Sequence, residues 1–412
     1  MMPLSKVGVV GLGYVGLALV GSICQSGQKV IGLDVDEQRV ESLIAGKSPN
    51  ESISDSDLSR YVSSGLFEVS TDPSILEKAE IVILAVPTPL DEQGNPDYKP
   101  LDIACNMIAA HLAPNALLIN ESTSHPGTLR NFIFPIIRNL RIDKAANMSF
   151  ACSPERVNPG DAKFGHKNTP RVVSGLDDNS KERVRNFYSR FVDEIFIASS
   201  PEVAEMSKLL ENSFRMVNIS FINEISNYCV SQGIPVREVI SAASTKPFGF
   251  MPFFPGPGVG GHCIPVDPAY LLKDAADRGQ SLHLLDTALS LNRSRADYIV
   301  NYLERENGTI QGKKILLAGV TYKPNITDTR ETPAKALFEA LKSKGALVSW
   351  NDSLVQFWNN GQSSEMSQEM WDIALVLILH DTSNPEEILQ NSKLIYDFTG
   401  KMPKDSEKVR AI

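Results

Sequence analysis

The feature that most constrains this chain stands near its start, where an apolar run, KVGVV (6–10), turns at once into GLGYVG and then into LALVGSICQSG. A short apolar strand feeding a glycine-rich turn and an apolar helix is the opening of a βαβ unit. Gly11, Gly13 and Gly16 form GxGxxG. The first glycine permits the tight turn, the second lets backbone approach a pyrophosphate, and the third allows close helix–strand packing. Phosphates would sit at the helix N-terminus, where free N–H groups and the dipole favour negative charge. The next strand, KVIGLDV, ends at Asp34, 23 positions after Gly11. A carboxylate there bonds ribose hydroxyls and repels a 2′-phosphate, which points to NAD rather than NADP. Arg39 reads as stacking on the adenine or lying on a solvated helix face.

Further strands are predicted at EIVILAV (80–86), ALLINES (116–122) and MSFACSP (148–154), alternating with helical stretches. From Pro201 the texture changes to a long helical stretch that runs toward Gly233 and Pro235, with more helix in 266–306. Between them, KPFGFMPFFPGPGVGGHCIPVDP (246–268) is too rich in Pro and Gly for a regular element and must be an ordered loop. At Lys313 the βα pattern resumes with KKILLAGV, ALVSWND (346–352), IALVLIL (373–379) and KLIYDFT (393–399). The expected fold is α/β: two Rossmann-like, doubly wound parallel sheets joined by a central helical domain with a long helix. The expected domains are 1–200, 201–306 and 307–412.

At 412 residues, two or three domains are the natural division. A net charge of −9 argues against general affinity for nucleic acid. No window supplies the roughly 20 apolar residues of a membrane span. The five cysteines are scattered, odd in number and without a CxxC pair, which speaks against a disulfide framework or zinc site and for the cytoplasm. The long central helix suggests a homodimer.

Cys263 lies in GVGGHCIP, after glycines that let a ligand approach the backbone. A thiolate there can attack an aldehyde, giving a thiohemiacetal whose oxidation yields a thioester. Cys24, Cys105, Cys152 and Cys229 fall in apolar periodic stretches and read as small buried hydrophobes. His262 is read as structural, because neighbours in an extended loop point apart. Glu155, in SPERVNPG (153–160), stands at a strand end where open sheets place ligands. It is either the general base for thioester hydrolysis, the partner of Arg156 in an ion pair, or a helix cap. Lys208 and Asn212 lie one helical turn apart and could place two donors around a developing oxyanion.

The segments GLGYVG, VPTPL, ESTSHPGT, SPERVNPG, EMSKLLENSFRMVNI, GPGVGGHCIPVDP and YKPNITDTRETP occur in the order found in the UDP-glucose/GDP-mannose dehydrogenase family, which this chain resembles. Together they span about residues 6 to 335, and the remainder fits the family's UDP-binding domain. The resemblance implies an NAD-dependent, four-electron oxidation of the C6 hydroxyl of a UDP-sugar. It makes Cys263 the nucleophile, Lys208 and Asn212 the oxyanion donors, and Glu155 the group that promotes hydrolysis. Asp267 would hold a water or Lys208, and Thr123 would orient water. Around the cofactor it adds Tyr14, Val15, Pro87, Thr88, Ser122, Thr123 and Arg330 to the residues above. Around the substrate it places Glu155, Arg156, Val157, Lys208, Asn212, Phe254, Gly258, Gly260, Tyr322 and Lys323, with the loop 248–260 as cradle.

The stretch 245–271 looks most like the branch that acts on UDP-N-acetylglucosamine, a source of surface polysaccharide precursors. Two departures from the glucose branch agree: Val266 stands where a lysine is common, and 244–256 has no arginine. UDP-glucose is the alternative substrate, with UDP-N-acetylgalactosamine and UDP-N-acetylmannosamine behind it. A two-electron 3-hydroxyacid or 6-phosphogluconate type enzyme would need neither Cys263 nor the second sheet, and a non-catalytic NAD sensor would not need the thiol.

Overall fold

The computed structural model describes residues 6–141, 147–157, 164–261, 263–366, 369–403 and 405–411. It divides into two compact units, Met1–Glu211 with Ala269–Asp274, and Asn212–Pro268 with Ala275–Ile412.

The first unit is built on an eight-stranded sheet. Its strands are β1 (Val7–Val10), β2 (Val30–Leu33), β3 (Phe67–Ser70), β4 (Ile81–Leu84), β5 (Leu117–Asn120), β6 (Ser149–Cys152), β7 (Arg171–Gly175) and β8 (Ile195–Ile197). Their spatial order is β3-β2-β1-β4-β5-β6-β7-β8. All neighbours run parallel except β6 and β7, which are antiparallel. The helices are α1 (Tyr14–Gln25), α2 (Glu37–Ile44), α3 (Asp55–Ser63), α4 (Lys99–Ala109), α5 (Phe134–Leu140) and α6 (Asp178–Tyr188). A sheet covered on both faces wants unbroken apolar strands, and β1, β4 and β5 are buried at every position. Alternate residues face opposite layers: Ile81 and Ile83 enter one core, Val82 and Leu84 the other. Because β1 is flanked by β2 on one side and β4 on the other, the chain reverses direction of winding there, and the crevice beyond β1 is where such sheets bind ligands.

The 31-residue helix α7 (Pro201–Ser231) begins in the first unit and continues into the second. The second unit adds α8 (Val236–Ala243), α9 (Asp267–Asp277), α10 (His283–Arg293) and α11 (Arg295–Asn307), although Ala269–Asp274 of α9 groups with the first. From 244 to 261 the chain has neither helix nor strand, as its composition predicts. The second sheet is made of β9 (Lys314–Ala318), β10 (Leu347–Asn351), β13 (Ile373–Val376), β14 (Ile395–Asp397) and β15 (Val409–Ala411), with a hairpin of β11 (Phe357–Trp358) and β12 (Gly361–Gln362) beside it. Its order is β10-β9-β13-β14-β15, parallel throughout. Helices α12 (Pro333–Ser343) and α13 (Pro385–Gln390) start on Thr332 and Asn384, whose side chains accept from Ala334 and Glu387 N–H. Among the described residues no helix is long and apolar enough to cross a membrane.

Candidate active site

In the first unit the strand–turn–helix is drawn tight. Gly11 has φ +90°, and a Cβ there would fall 2.6 Å from the Ala85 carbonyl oxygen. A Cβ on Gly16 would lie 1.9 Å from the Gly11 carbonyl oxygen, whereas one on Gly13, the cap of α1, would meet nothing within 4 Å. Two glycines are therefore fixed by packing, and the third leaves open space at a helix N-terminus, where a pyrophosphate fits. Tyr14 and Val15 open α1 behind it. Asp34 is 6% exposed and accepts from Leu12 N–H at 2.7 Å. Arg39 donates to it at 2.9 Å, so that this arginine leans on the carboxylate rather than lying loose on its helix. Pro87 and the buried Thr88 follow β4, and Ser122 Oγ accepts from Val86 N–H, tying the ends of β4 and β5 together.

One strand over, Lys208 Nζ donates to Thr123 Oγ1 at 2.5 Å. Glu205, one turn before it, accepts from Gly127 and Leu129 N–H and so fixes the ESTSHPGT turn to α7. Burial pushes the Glu205 carboxyl up to about 7. Glu155 is 7% exposed and paired with Arg171 at 2.8 Å, not with Arg156. It also accepts from Arg156 and Val157 N–H, while the Arg156 side chain turns to Glu211 at 2.6 Å. Burial alone would raise the Glu155 pKa, but Arg171, His166, the Val157 N–H and Lys208 hold it well below the ordinary carboxylate range. Arg171 also reaches Glu121 at 2.5 Å and lies over the Tyr188 ring. Residues 158–160 of the SPERVNPG segment lie outside the described residues, as does His262.

In the second unit Cys263 is exposed, while the other four cysteines are buried. Its carbonyl accepts from Asp267 N–H at 2.8 Å, so the thiol-bearing residue forms the lead-in turn of α9. Asp267 is 1% exposed and accepts from Asn212 Nδ2 at 2.5 Å. The glycine loop closes over Tyr322: a Cβ on Gly261 would lie 2.8 Å from the tyrosine ring, and one on Gly260 2.6 Å from the Glu331 carbonyl oxygen. Gly258 faces Pro333 more loosely. Thr321 Oγ1 donates to the Lys323 carbonyl. Arg330 is held by Asp328 of its own loop at 2.7 Å. Phe254 is half exposed, with the Arg237 guanidinium over its ring.

Residues 5–192, 202–294 and 316–400 match, in turn, the NAD-binding, central and UDP-binding domains of the UDP-glucose/GDP-mannose dehydrogenase family. The chain belongs to that family. It is an NAD-dependent UDP-sugar dehydrogenase. A UDP-N-acetyl-D-mannosamine dehydrogenase of Methanocaldococcus jannaschii is 34% identical over 91% of this chain and 86% of that protein. A solved UDP-D-ManNAc dehydrogenase from Pyrococcus horikoshii superposes with a TM-score of 0.88, at 29% identity over 99% of both chains. The UDP-N-acetyl-mannosamine dehydrogenase Cap5O of Staphylococcus aureus gives 0.85, at 30% identity over 99% of this chain and 97% of that one.

Three groups in the dehydrogenase escape a reading of the sequence. Arg171 stands 16 residues from Glu155 and meets it only because β7 runs antiparallel to β6. Glu121 is legible as part of ESTSHPGT but carries no role there; burial raises its carboxyl to about 7. Arg215 is close enough to Cys263 and Tyr322 for them to oppose the downward pull of burial on its pKa. Here a signal exists, since Lys208, Asn212 and Arg215 recur at i, i+4 and i+7 on one helix face.

Proposed function

We propose that this chain oxidises the C6 alcohol of a UDP-N-acetylhexosamine to the carboxylate, in the cytoplasm, for surface polysaccharide synthesis. The observation that carries the reading is Cys263, an exposed thiol between a glycine loop and the first turn of α9, with the Asp267–Asn212 pair one turn away. NAD, when bound, accepts the hydride in both oxidations. Gly11, Gly13, Tyr14, Val15 and Gly16 receive its pyrophosphate, Asp34 and Arg39 its ribose and adenine side, and Pro87, Thr88, Ser122, Thr123 and Arg330 the rest. Lys208 and Asn212 stabilise the charge on the substrate oxygen. The C6 alcohol loses its hydroxyl proton to solvent and a hydride from carbon, and the Cys263 thiolate adds to the resulting aldehyde carbon, forming a C–S bond as the carbonyl pair moves to oxygen. Loss of hydride from that carbon leaves the thioester. Water then adds, the C–S bond breaks with one proton of the water passing to the leaving sulfur and the other to solvent, and the thiol and the carboxylate product separate.

Thr123 and Glu155 orient that water. Glu155, paired with Arg171 at 2.8 Å and accepting from two backbone N–H groups, promotes this hydrolysis. Arg156, Val157, Phe254, Gly258, Gly260, Tyr322 and Lys323 complete the substrate site, within the functional layout 1–200, 201–306 and 307–412. Val203, Leu210, Phe214, Phe221 and Tyr228 form an exposed apolar stripe along α7, which supports a homodimer through this helix.

On the sugar, the arginine-free, phenylalanine-rich loop 244–256 supports UDP-N-acetylglucosamine. A second reading, UDP-N-acetylmannosamine, is supported by the names of the relatives. Both share the acetamide. Burying its methyl contributes roughly 0.8 kcal/mol, so larger discrimination needs hydrogen bonds to the amide. Initial rates with the two epimers and UDP-glucose at matched NAD decide it. The expected result is two NADH per sugar and a preference of about tenfold or more for an N-acetylated sugar over UDP-glucose. One NADH per sugar would reduce the enzyme to the two-electron class, and equal efficiency with UDP-glucose would remove the N-acetyl reading.

A further inference from the structure

The segment leading to Cys263 has no ladder or helix of its own, so its backbone groups need partners from elsewhere. Three helix-borne side chains supply them. Asn223 on α7 accepts from Gly256 N–H at 3.0 Å, and Arg295, the first residue of α11, donates Nε–H to the Gly256 carbonyl at 3.2 Å. Asn292, near the end of α10, accepts from Val259 N–H at 2.7 Å and donates to the Val259 carbonyl at 3.2 Å. Both main-chain groups of Gly256 and both of Val259 are thus satisfied by side chains. Between them stands Pro257, which has no N–H, and Gly258 at φ +140°.

Arg295 is unusual in its own right. It is 4% exposed, makes no ion pair among the described residues, and has its pKa pulled down to about 10 by burial. Nη1 donates to Asn227 Oδ1 at 2.6 Å, and the guanidinium lies 5.4 Å from the centre of the Tyr298 ring. Nη2 has no partner among the described residues, but a cavity of about 70 Å³ lined by Asn223, Asn227, Asn292 and Arg295 has room for water beside it. Burying a cation without a counter-ion is costly, and a methionine of similar length would avoid that cost. What offsets that cost is the set of groups the arginine holds, and among them is the Gly256 carbonyl of the loop.

We propose that Arg295, together with Asn223 and Asn292, is a positioning residue that locks the Gly256–Val259 backbone in its substrate-ready conformation before the nucleotide sugar arrives. The inference rests on the proposed reading of 248–260 as the substrate cradle. A loop already ordered in the free enzyme spares the substrate the entropy of ordering it. The effect therefore falls on sugar binding and not on the cofactor.

The test compares Arg295→Met, Asn292→Asp and Arg295→Lys with the wild type. Asn292→Asp is isosteric: it keeps the acceptor for Val259 N–H and loses the donor to the Val259 carbonyl, so it carries the test if the methionine variant fails to fold. Both are expected to raise KM for UDP-N-acetylglucosamine and UDP-N-acetylmannosamine by about tenfold or more. The expected kcat stays within about threefold and KM for NAD is unchanged, with Arg295→Lys recovering part of the loss. In sugar-free protein, deuterium uptake over 250–261 rises in both variants and is suppressed again by saturating UDP-sugar. An unchanged sugar KM, an equal rise in KM for NAD, or loop amides that already exchange at open-coil rates in the wild type would each overturn the proposal. Failure of the wild type to oxidise any UDP-sugar would sink the functional reading instead, and the exchange measurement would still decide the clamp.

Discussion

The two sheets of this enzyme begin with the same device and use it differently. In the first, Gly11 at φ +90° donates its N–H to the Leu33 carbonyl, and Asp34 at the end of β2 accepts from Leu12 N–H at 2.7 Å. In the second, Gly319 at φ +85° donates to the Asn351 carbonyl, and Asp352 just after β10 accepts from Val320 N–H at 2.8 Å. Beyond the turn the two part ways. After Gly11 the helix α1 starts at Tyr14, with an open N-terminus and an Asp34 still reached from outside through a one-third exposed Arg39. After Gly319 the chain takes thirteen non-helical residues, 320–332, before α12, and Asp352 is sealed by His380, both side chains fully buried. The framework is a way of turning from strand to crevice. Whether the crevice takes a dinucleotide depends on the helix N-terminus being placed at the turn and on nothing plugging the acid.

The largest expected effect comes from breaking the turns themselves. Gly319→Ala would place a Cβ 2.3 Å from the Ile378 carbonyl oxygen at a φ that alanine avoids. We expect a stability loss of about 3 kcal/mol or more, as for Gly11→Ala. The two should differ in one respect, that saturating NAD still raises the melting temperature of the Gly319 variant but not of the Gly11 variant. If NAD rescues neither or both, the turns are not functionally distinct.

Next is Asp352→Asn. Burial pushes the Asp352 carboxyl up, but hydrogen bonds from His380, Val320 and Leu354 outweigh it and leave the pKa lowered. A depressed carboxylate stabilises above its unfolded pKa of about 4, and that contribution is lost as pH falls through the folded value. The variant should be about 2 kcal/mol less stable at pH 7, converge with the wild type below pH ~4, and bind NAD normally. A stability gap that persists in acid would mean the carboxylate's charge is not what matters.

Asp34→Ser should do the reverse, weakening NAD by about tenfold, or ~1.4 kcal/mol, while improving use of NADP. Unaltered NAD affinity would take Asp34 out of the site. The smallest structural effect belongs to Gly13→Ala, where the added methyl meets nothing. Unfolding should shift by less than about 1 kcal/mol, while NAD affinity drops several-fold if, as proposed, the pyrophosphate approaches at Gly13. A variant that unfolds early would show that the space at Gly13 is packing space after all.

The sheets are legible in the sequence because strands buried on both faces must be almost wholly apolar, and KVGVV, EIVILAV and IALVLIL are. Strands β3 and β7 are not, since Phe67–Ser70 is partly exposed and Arg171 opens a strand with a charge. The same arginine explains what is illegible in the site. Chain proximity suggests Arg156 as the partner of Glu155, but an antiparallel neighbour brings Arg171 from a separate segment, and Arg156 goes to Glu211. Residues carried on one turn or helix, such as Gly11, Gly13 and Gly16 or Lys208 and Asn212, are readable because local geometry fixes their spacing. Partners recruited across the sheet are not.

The contrast among the five thiols gives the enzyme its own counting device. Burial raises Cys24 and Cys105 to about 12 and Cys152 well above the ordinary thiol range, and Cys229 is buried as well, whereas Cys263 stands in solvent. Alkylation of the folded protein should consume one equivalent of iodoacetamide quickly, and the remaining four only as the chain unfolds. With Cys263 as the proposed nucleophile, the fast phase would count competent centres in a preparation, the slow phase would time the opening of the cores, and a thiol lost to peroxide in storage would register as a missing equivalent before any loss of fold.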